Sequence, residues 1–189
     1  MSKVVTPFLA EELSTIIQHA MTGDKTAFTH LVWRYKDHIV NIAFGVIGNS
    51  LDAEDIAQET FLKAYLSIGR LSSANAFYQW LVRIAVNLSI DKKKANTLRR
   101  TQPLEFFSSL ASSVPSPDNV TEQHEQQRRL LDALDCLSLD QRTVLILREF
   151  QEFSYQEIAL ILDIPIGTVR SRISAAKYRL REILAPERC

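Results

Sequence analysis

The residues best equipped for chemistry are cations and small hydroxyls gathered on single helical faces. From Ile166 onward, at 100° per residue, Ile166, Val169, Ile173, Ala176 and Leu180 fall on one side. Gly167, Arg170, Ser171, Ser174 and Tyr178 fall opposite. Arg170 is the long cation of that polar face and can pair with a guanine edge or a phosphate, whereas Thr168 and Ser171 are short and suit phosphate positioning. Small and basic side chains near a helix start are what a major groove admits. An ordinary αα-hairpin with a solvated basic face would show the same pattern, so this face alone does not decide.

Two further faces stand out. Along Phe77 to Leu88, the residues Phe77, Trp80, Leu81, Ile84 and Leu88 form an apolar stripe, which assigns Phe77 and Trp80 to a core. Arg83, Asn87 and Lys94 line up on another face, with Tyr78 off the stripe. Cations, an amide and a nearby aromatic suit single-stranded DNA, whose phosphates pair with Lys or Arg and whose bases stack. Along Asp52 to Tyr65, Ile56, Ala57, Thr60, Phe61 and Ala64 face inward, while Asp55, Gln58, Glu59 and Leu62 share the outer face. A leucine exposed within an acidic face points to a protein partner; a plainly solvated acidic helix is the alternative.

Bond-making chemistry has no visible carrier. The chain shows no glycine-rich phosphate loop, no Gly-x-Ser-x-Gly and no His-Glu-x-x-His. Cys136 and Cys189 stand far apart and read as a buried thiol and a spare terminal one. His19, His30, His38 and His124 have no metal-ligand spacing. The expectation is a protein that is not an enzyme and uses no metal and no cofactor.

Such faces need helices to carry them. The chain has 189 residues, 46% hydrophobic and 23% charged, with only 5 Gly and 6 Pro. That composition supports a packed core and leaves too little turn chemistry for a many-stranded sandwich or barrel. Helical periodicity runs from Glu11 to about Leu98, with breaks at Gly23-Asp24, Gly48-Asn49-Ser50 and Leu71 to Asn75. Asp52 is expected to cap the helix that follows the second break. Thr101 to Thr121 is rich in Ser and Pro and reads as a tether, after which helical pattern resumes near Glu122 and continues to Leu184. Within that second helical stretch, Ser138 to Gln141 and Ser154 to Glu157 both fit the capping box. The second box opens a short helix, Tyr155 to Leu162, and Asp163-Ile164-Pro165 then turns into the helix from Ile166, a helix-turn-helix. The fold class expected is all-α, with two small helical domains, residues 1–98 and 125–189, joined by an acidic linker, 99–124.

Net charge is zero, 22 basic against 22 acidic residues, and argues mildly against strong, independent nucleic-acid binding. The total hides a segregation. Residues 83–100 hold six Lys or Arg against Asp91 alone, and the carboxy end is again basic, while residues 101–127 contain acidic residues and no Lys or Arg. The first twenty residues lack a basic-then-apolar leader, and no apolar run approaches the roughly 18 residues of a membrane span. A cytoplasmic protein is expected.

Four segments, in order, resemble the extracytoplasmic-function sigma factors of bacterial RNA polymerase, especially the sigma-E-like group. They are Gly23-Asp-Lys-Thr-Ala-Phe28; Asp52 to Tyr65; Phe77 to Asn87; and Ser154 to Ala159 followed by Pro165-Ile-Gly-Thr-Val-Arg-Ser-Arg172. One helix-turn-helix would be a weak match, but four ordered blocks across both domains are a strong one. The resemblance implies a sigma-2-like bundle and a sigma-4-like helix-turn-helix domain. It implies that Asp55, Gln58, Glu59 and Leu62 dock on core polymerase at the β′ clamp helices, and that the β flap is a second contact. Asn75, Tyr78, Arg83, Asn87 and Lys94 would hold the opened −10 promoter strand, with the loop Leu71 to Ala76 receiving a flipped base. Arg148, Thr168, Arg170, Ser171, Ser174 and Lys177 would read the −35 element. An anti-sigma factor and a set of envelope-stress or related genes are further implications.

The chain also departs from its relatives. Leu71 to Ala76 replaces an aromatic-Arg-Gly loop, Ile173 to Lys177 replaces aromatic and Arg residues, and Glu152 and Leu139 stand where Gly and Pro are common. Two other functions fit parts of the pattern: a stand-alone helix-turn-helix regulator that binds duplex DNA as a dimer, and a helical adaptor that binds only protein. The first needs a dimerising or sensing domain, which the blocks at 52–65 and 77–87 do not resemble.

Overall fold

The computed structural model describes residues 7–101 and 122–185. Eight α-helices run through them: α1 Pro7–Met21, α2 Lys25–Ile47, α3 Ser50–Ser67, α4 Phe77–Thr101, α5 Glu122–Asp135, α6 Leu139–Leu145, α7 Tyr155–Leu162 and α8 Ile166–Leu184. No strand occurs among the described residues. The stretch 102–121, which carries most of the expected acidic linker, and Cys189 lie outside them.

Local chemistry sets the helix ends. Asp24 accepts hydrogen bonds from the amides of Thr26 and Ala27 and so opens α2. Gly48 closes it at φ 80°, a left-handed conformation that glycine adopts without a Cβ penalty. The cap of α3 is Asn49, not Asp52: the Asn49 side chain accepts from the Asp52 amide at 2.9 Å. Asp52 lies in the first turn, where its carboxylate takes Lys92 at 3.2 Å and the Asn96 amide at 3.2 Å. An Asx residue three positions earlier, already in extended backbone, had taken the capping place. Both serine capping boxes form, Ser138 with Gln141 and Ser154 with Glu157.

Helices α1 to α4 make one bundle and α5 to α8 a second. In the first, α4 buries more than the expected stripe. Phe77, Leu81, Val82, Ala85, Val86 and Ser89 are fully buried, while Trp80, Ile84 and Leu88 are half-buried at the edge. The centre of the stripe shifts because α4 packs on α2 and α3 on one side and on α7 on another. In the second bundle, α6 runs on into a π-turn, Ile146–Phe150, that the periodicity does not signal. The two bundles share one apolar core, in which Phe77 and Leu81 belong with Phe153, Ile158 and Ile161.

Close approach between the bundles depends on Gly45. A Cβ at that position would lie 2.9 Å from both Cδ1 and Cγ2 of Ile146, inside the contact distance of two carbons.

Candidate nucleic-acid interface

The helix-turn-helix is α7, the turn Asp163 to Pro165, and α8. Asp163 ends α7 in left-handed backbone at φ 55°. Buried Val169, Ile173 and Ala176 fix α8 against the core, which leaves Gly167, Arg170, Ser171, Ser174 and Tyr178 exposed as the wheel required. Arg170 makes no ion pair among the described residues. The Ser171 hydroxyl donates to the Thr168 carbonyl at 3.0 Å, so both short residues sit in the first turns. Arg148 comes from the π-turn. Its guanidinium donates to the Phe153 carbonyl at 2.9 Å and lies 5.1 Å from the Tyr155 ring centroid. Arg148, Ser154, Tyr155, Gln156, Ile166 and Arg170 line a hollow of about 240 Å³ at the head of the motif, so two arginines contribute to one wall. That arrangement suits a phosphate. Lys177 points elsewhere, paired with Glu149 at 2.8 Å.

On α4, Asn87 and Lys94 are exposed, and Asn75 is exposed in the turn before it. The Asn75 amide donates to the Ser73 hydroxyl at 3.3 Å, which shapes that turn. Arg83 is engaged: its guanidinium donates to the Leu160 carbonyl at 3.5 Å and the Asp163 carboxylate at 3.4 Å. Tyr78 stacks between Tyr35 and Phe153, with centroids at 5.2 and 5.6 Å, and its hydroxyl donates to Gln151 at 3.3 Å. Burial, and then the neighbouring Tyr35, push the Tyr78 phenol up to about 12. Of the five strand candidates, Asn75, Asn87 and Lys94 are exposed, Arg83 is exposed but engaged, and Tyr78 is half-buried in its aromatic stack.

The outer face of α3 is open along its length: Asp55, Gln58, Glu59 and Leu62 are all exposed, Leu62 at 59%, and Glu59 pairs with Lys63 on the same helix at 3.0 Å. Trp33, 79% exposed on α2, extends this face across a hollow of about 430 Å³ that also takes in Gln58, Glu54 and Lys36. Sequence reasoning passed over Trp33, although a tryptophan off the stripe formed by Phe28, Leu31, Ile39 and Ile42 was a signal. It also passed over Arg142. That residue lies one turn before Leu145 and Ile146 on the buried face of α6, and a cation on an apolar stripe was again visible. Cys136 is exposed, not buried, because it falls in the turn just after α5 and off its buried face.

Comparison with known proteins fixes the class. Residues 31–99 match the family description "Sigma-70 region 2", and residues 127–180 match "Sigma-70, region 4". The chain is 33% identical over 184 residues to the RNA polymerase sigma-H factor of Pseudomonas aeruginosa, covering 93% of this chain and 95% of that protein. It is 34% identical over 189 residues to the ECF RNA polymerase sigma-E factor of Haemophilus influenzae, covering 94% and 99%. Among solved structures it resembles the sigma factor RpoE of Bartonella quintana, determined in complex with the anti-sigma factor NepR, with a TM-score of 0.64 at 28% identity over 85% of this chain and 98% of that one. The chain belongs to the sigma-70 family, in its extracytoplasmic-function group. It is an RNA polymerase sigma factor, a transcription initiation factor rather than an enzyme or a stand-alone regulator. No helix among the described residues is long and apolar enough to cross a membrane.

Proposed function

We propose that this sigma factor divides its work among the three faces described above. The outer face of α3, with Asp55, Gln58, Glu59 and Leu62, docks on the β′ clamp helices of core polymerase, and the second bundle meets the β flap. Asn75, Tyr78, Arg83, Asn87 and Lys94 hold the opened −10 strand. Arg148, Thr168, Arg170, Ser171 and Ser174 meet the −35 duplex, with Lys177 joining once it leaves Glu149. The working units are residues 1–98 and 125–189, with 99–124 as the tether between them. Cytoplasmic residence, control by an anti-sigma factor and an envelope-stress or related gene set complete the reading. A solved relative held by an anti-sigma factor supports that control.

One observation carries the assignment: an open acidic face bearing Leu62 and a cationic face bearing Asn87 and Lys94 lie on different helices of one bundle. One can meet protein while the other meets DNA. Zero net charge fits a factor with weak DNA affinity of its own, because affinity from counterion release grows with the number of phosphate contacts. Transcription from a −35/−10 promoter with purified core tests the reading. Arg83, Asn87 and Lys94 all changed to Ala should lower permanganate reactivity at −10, and a pre-opened template should recover part of the activity. Normal opening by the triple variant refutes the strand-holding role.

A further inference from the structure

Five tyrosines occur in the chain, and four of them are taken up by the fold. Tyr35 and Tyr78 stack on each other, Tyr65 meets Phe28 edge-on, and the Arg148 guanidinium lies over the Tyr155 ring. Tyr178 is different: it is 63% exposed and makes no hydrogen bond or ring contact among the described residues. At 100° per residue it lies within about 20° of Ser171, directly opposite the buried Val169, Ile173 and Ala176 that hold α8 to the core. A ring with a polar tip, held out at that pole, suits a partner that is apolar in one place and charged in the next.

Spacing identifies the part of the partner it meets. Arg148 and Arg170 line the hollow at the head of the motif. Tyr178 lines another, of about 710 Å³, with Gln141, Ser171, Ser174 and Arg179. It follows Arg170 by two turns, about 12 Å along the axis at about 1.5 Å per residue. The major groove of B-DNA is itself about 12 Å wide. A helix laid across the groove with Arg170 at one phosphate wall therefore brings Tyr178 to the other, with Ser171 and Ser174 over the base edges between them. The cations nearest Tyr178 are engaged: Arg172 with Asp140 at 2.5 Å, Lys177 with Glu149 at 2.8 Å and Arg179 with Glu182 at 3.3 Å. Arg181, also exposed, stands about 16 Å from Arg170 along the axis, past the far wall. The phenol hydroxyl is a donor that carries no charge.

We propose that Tyr178 is a −35 contact residue whose hydroxyl donates to a phosphate on the strand facing the one that Arg170 meets, while its ring rests on the adjoining sugar. Arg170 and Tyr178 then hold the groove by its two walls and fix the tilt of α8 between them. The inference rests on the −35 reading of α8 given above.

The test uses holoenzyme assembled with purified core, and promoter fragments whose −35 duplex the holoenzyme has selected from a randomised library. Tyr178→Phe removes only the hydroxyl and should weaken promoter binding about tenfold, by the same factor for every −35 sequence. Tyr178→Ala also removes the ring and should weaken it further. An uncharged donor displaces no counterion, so Tyr178→Phe should leave the slope of log affinity against log salt unchanged, whereas Arg170→Ala should reduce it by about 1. Methylphosphonates placed one at a time locate the contact. At one position on the strand facing Arg170's, the wild type should fall to the affinity of Tyr178→Phe, and the variant should lose nothing more. A loss confined to particular −35 sequences, or the lack of any phosphate at which the two effects merge, overturns the inference. If Arg170→Ala weakens binding and Tyr178→Phe does not, the Tyr178 contact fails and the −35 reading of α8 stands. If neither weakens it, that reading falls as well.

Discussion

Glu152 offers a perturbation whose size follows from backbone geometry. It holds φ 56°, with an exposed side chain that makes no hydrogen bond or ion pair among the described residues. The conformation is imposed from both sides. The Gln151 amide closes on the Ile146 carbonyl at 3.2 Å, and the Phe153 amide reaches back to Leu147 at 3.1 Å. A residue with a Cβ is disfavoured there by roughly 1–2 kcal/mol. Glycine relieves that strain and gives back about 0.5–1 kcal/mol through the greater freedom of the unfolded chain. Glu152→Gly should therefore stabilise the second bundle by about 0.5–1 kcal/mol. In urea, at a slope near 2 kcal/mol per molar, that is an upward midpoint shift of about 0.4 M. Glu152→Ala is the control, since it removes the charge but keeps the Cβ, and it should gain little. If Gly and Ala shift the midpoint equally, left-handed strain is not stored at this position and the reasoning fails.

The docking face gives a second expectation: Gln58→Ala with Leu62→Ala, and separately Trp33→Ala, should each weaken core binding by more than about 1 kcal/mol with helicity intact. Titration of labelled factor with core reads this, and unchanged affinity removes the residues from the interface. On α8, Arg170→Ala should cost about 1–3 kcal/mol and relax preference at one position of a randomised −35 library if the contact is to a base. A uniform loss across all sequences would mean a phosphate contact only. The Tyr78 phenol is neutral in the fold and ionises near 12 instead of 10, so its contribution is complete below pH 10 and fades as pH rises through 12. Ultraviolet titration should show a late-ionising tyrosine that Tyr78→Phe removes.

Features written in short stretches of chain were readable in advance. The Ser138 and Ser154 boxes, the break at Gly48 and the polar face of α8 each depend on residues within one or two turns of each other. The cap of α3 was misplaced by three residues because Asn49 and Asp52 are both competent, and the choice rests on Lys92 and Asn96, some forty positions away. The engagement of Tyr78 and Arg83 was not legible for the same reason: their partners are 73 to 80 residues distant, and no periodicity carries that information. The individual roles of α3, α4 and α8 side chains still stand on exposure and charge, which is why each has its own test.

The fit of Ile146 onto Gly45 also bears on modularity. Factors of this kind invite recombination, with the promoter-opening piece of one parent joined to the duplex-reading piece of another. Here the two pieces carry complementary halves of a lock, one position with no side chain and one with a branched side chain that fills the gap. A hybrid whose first parent brings alanine or anything larger at position 45 would meet Ile146 in collision. One that pairs Gly45 with a small residue at position 146 would leave a void. Chimeras of this factor should be designed with positions 45 and 146 treated as a single inherited unit.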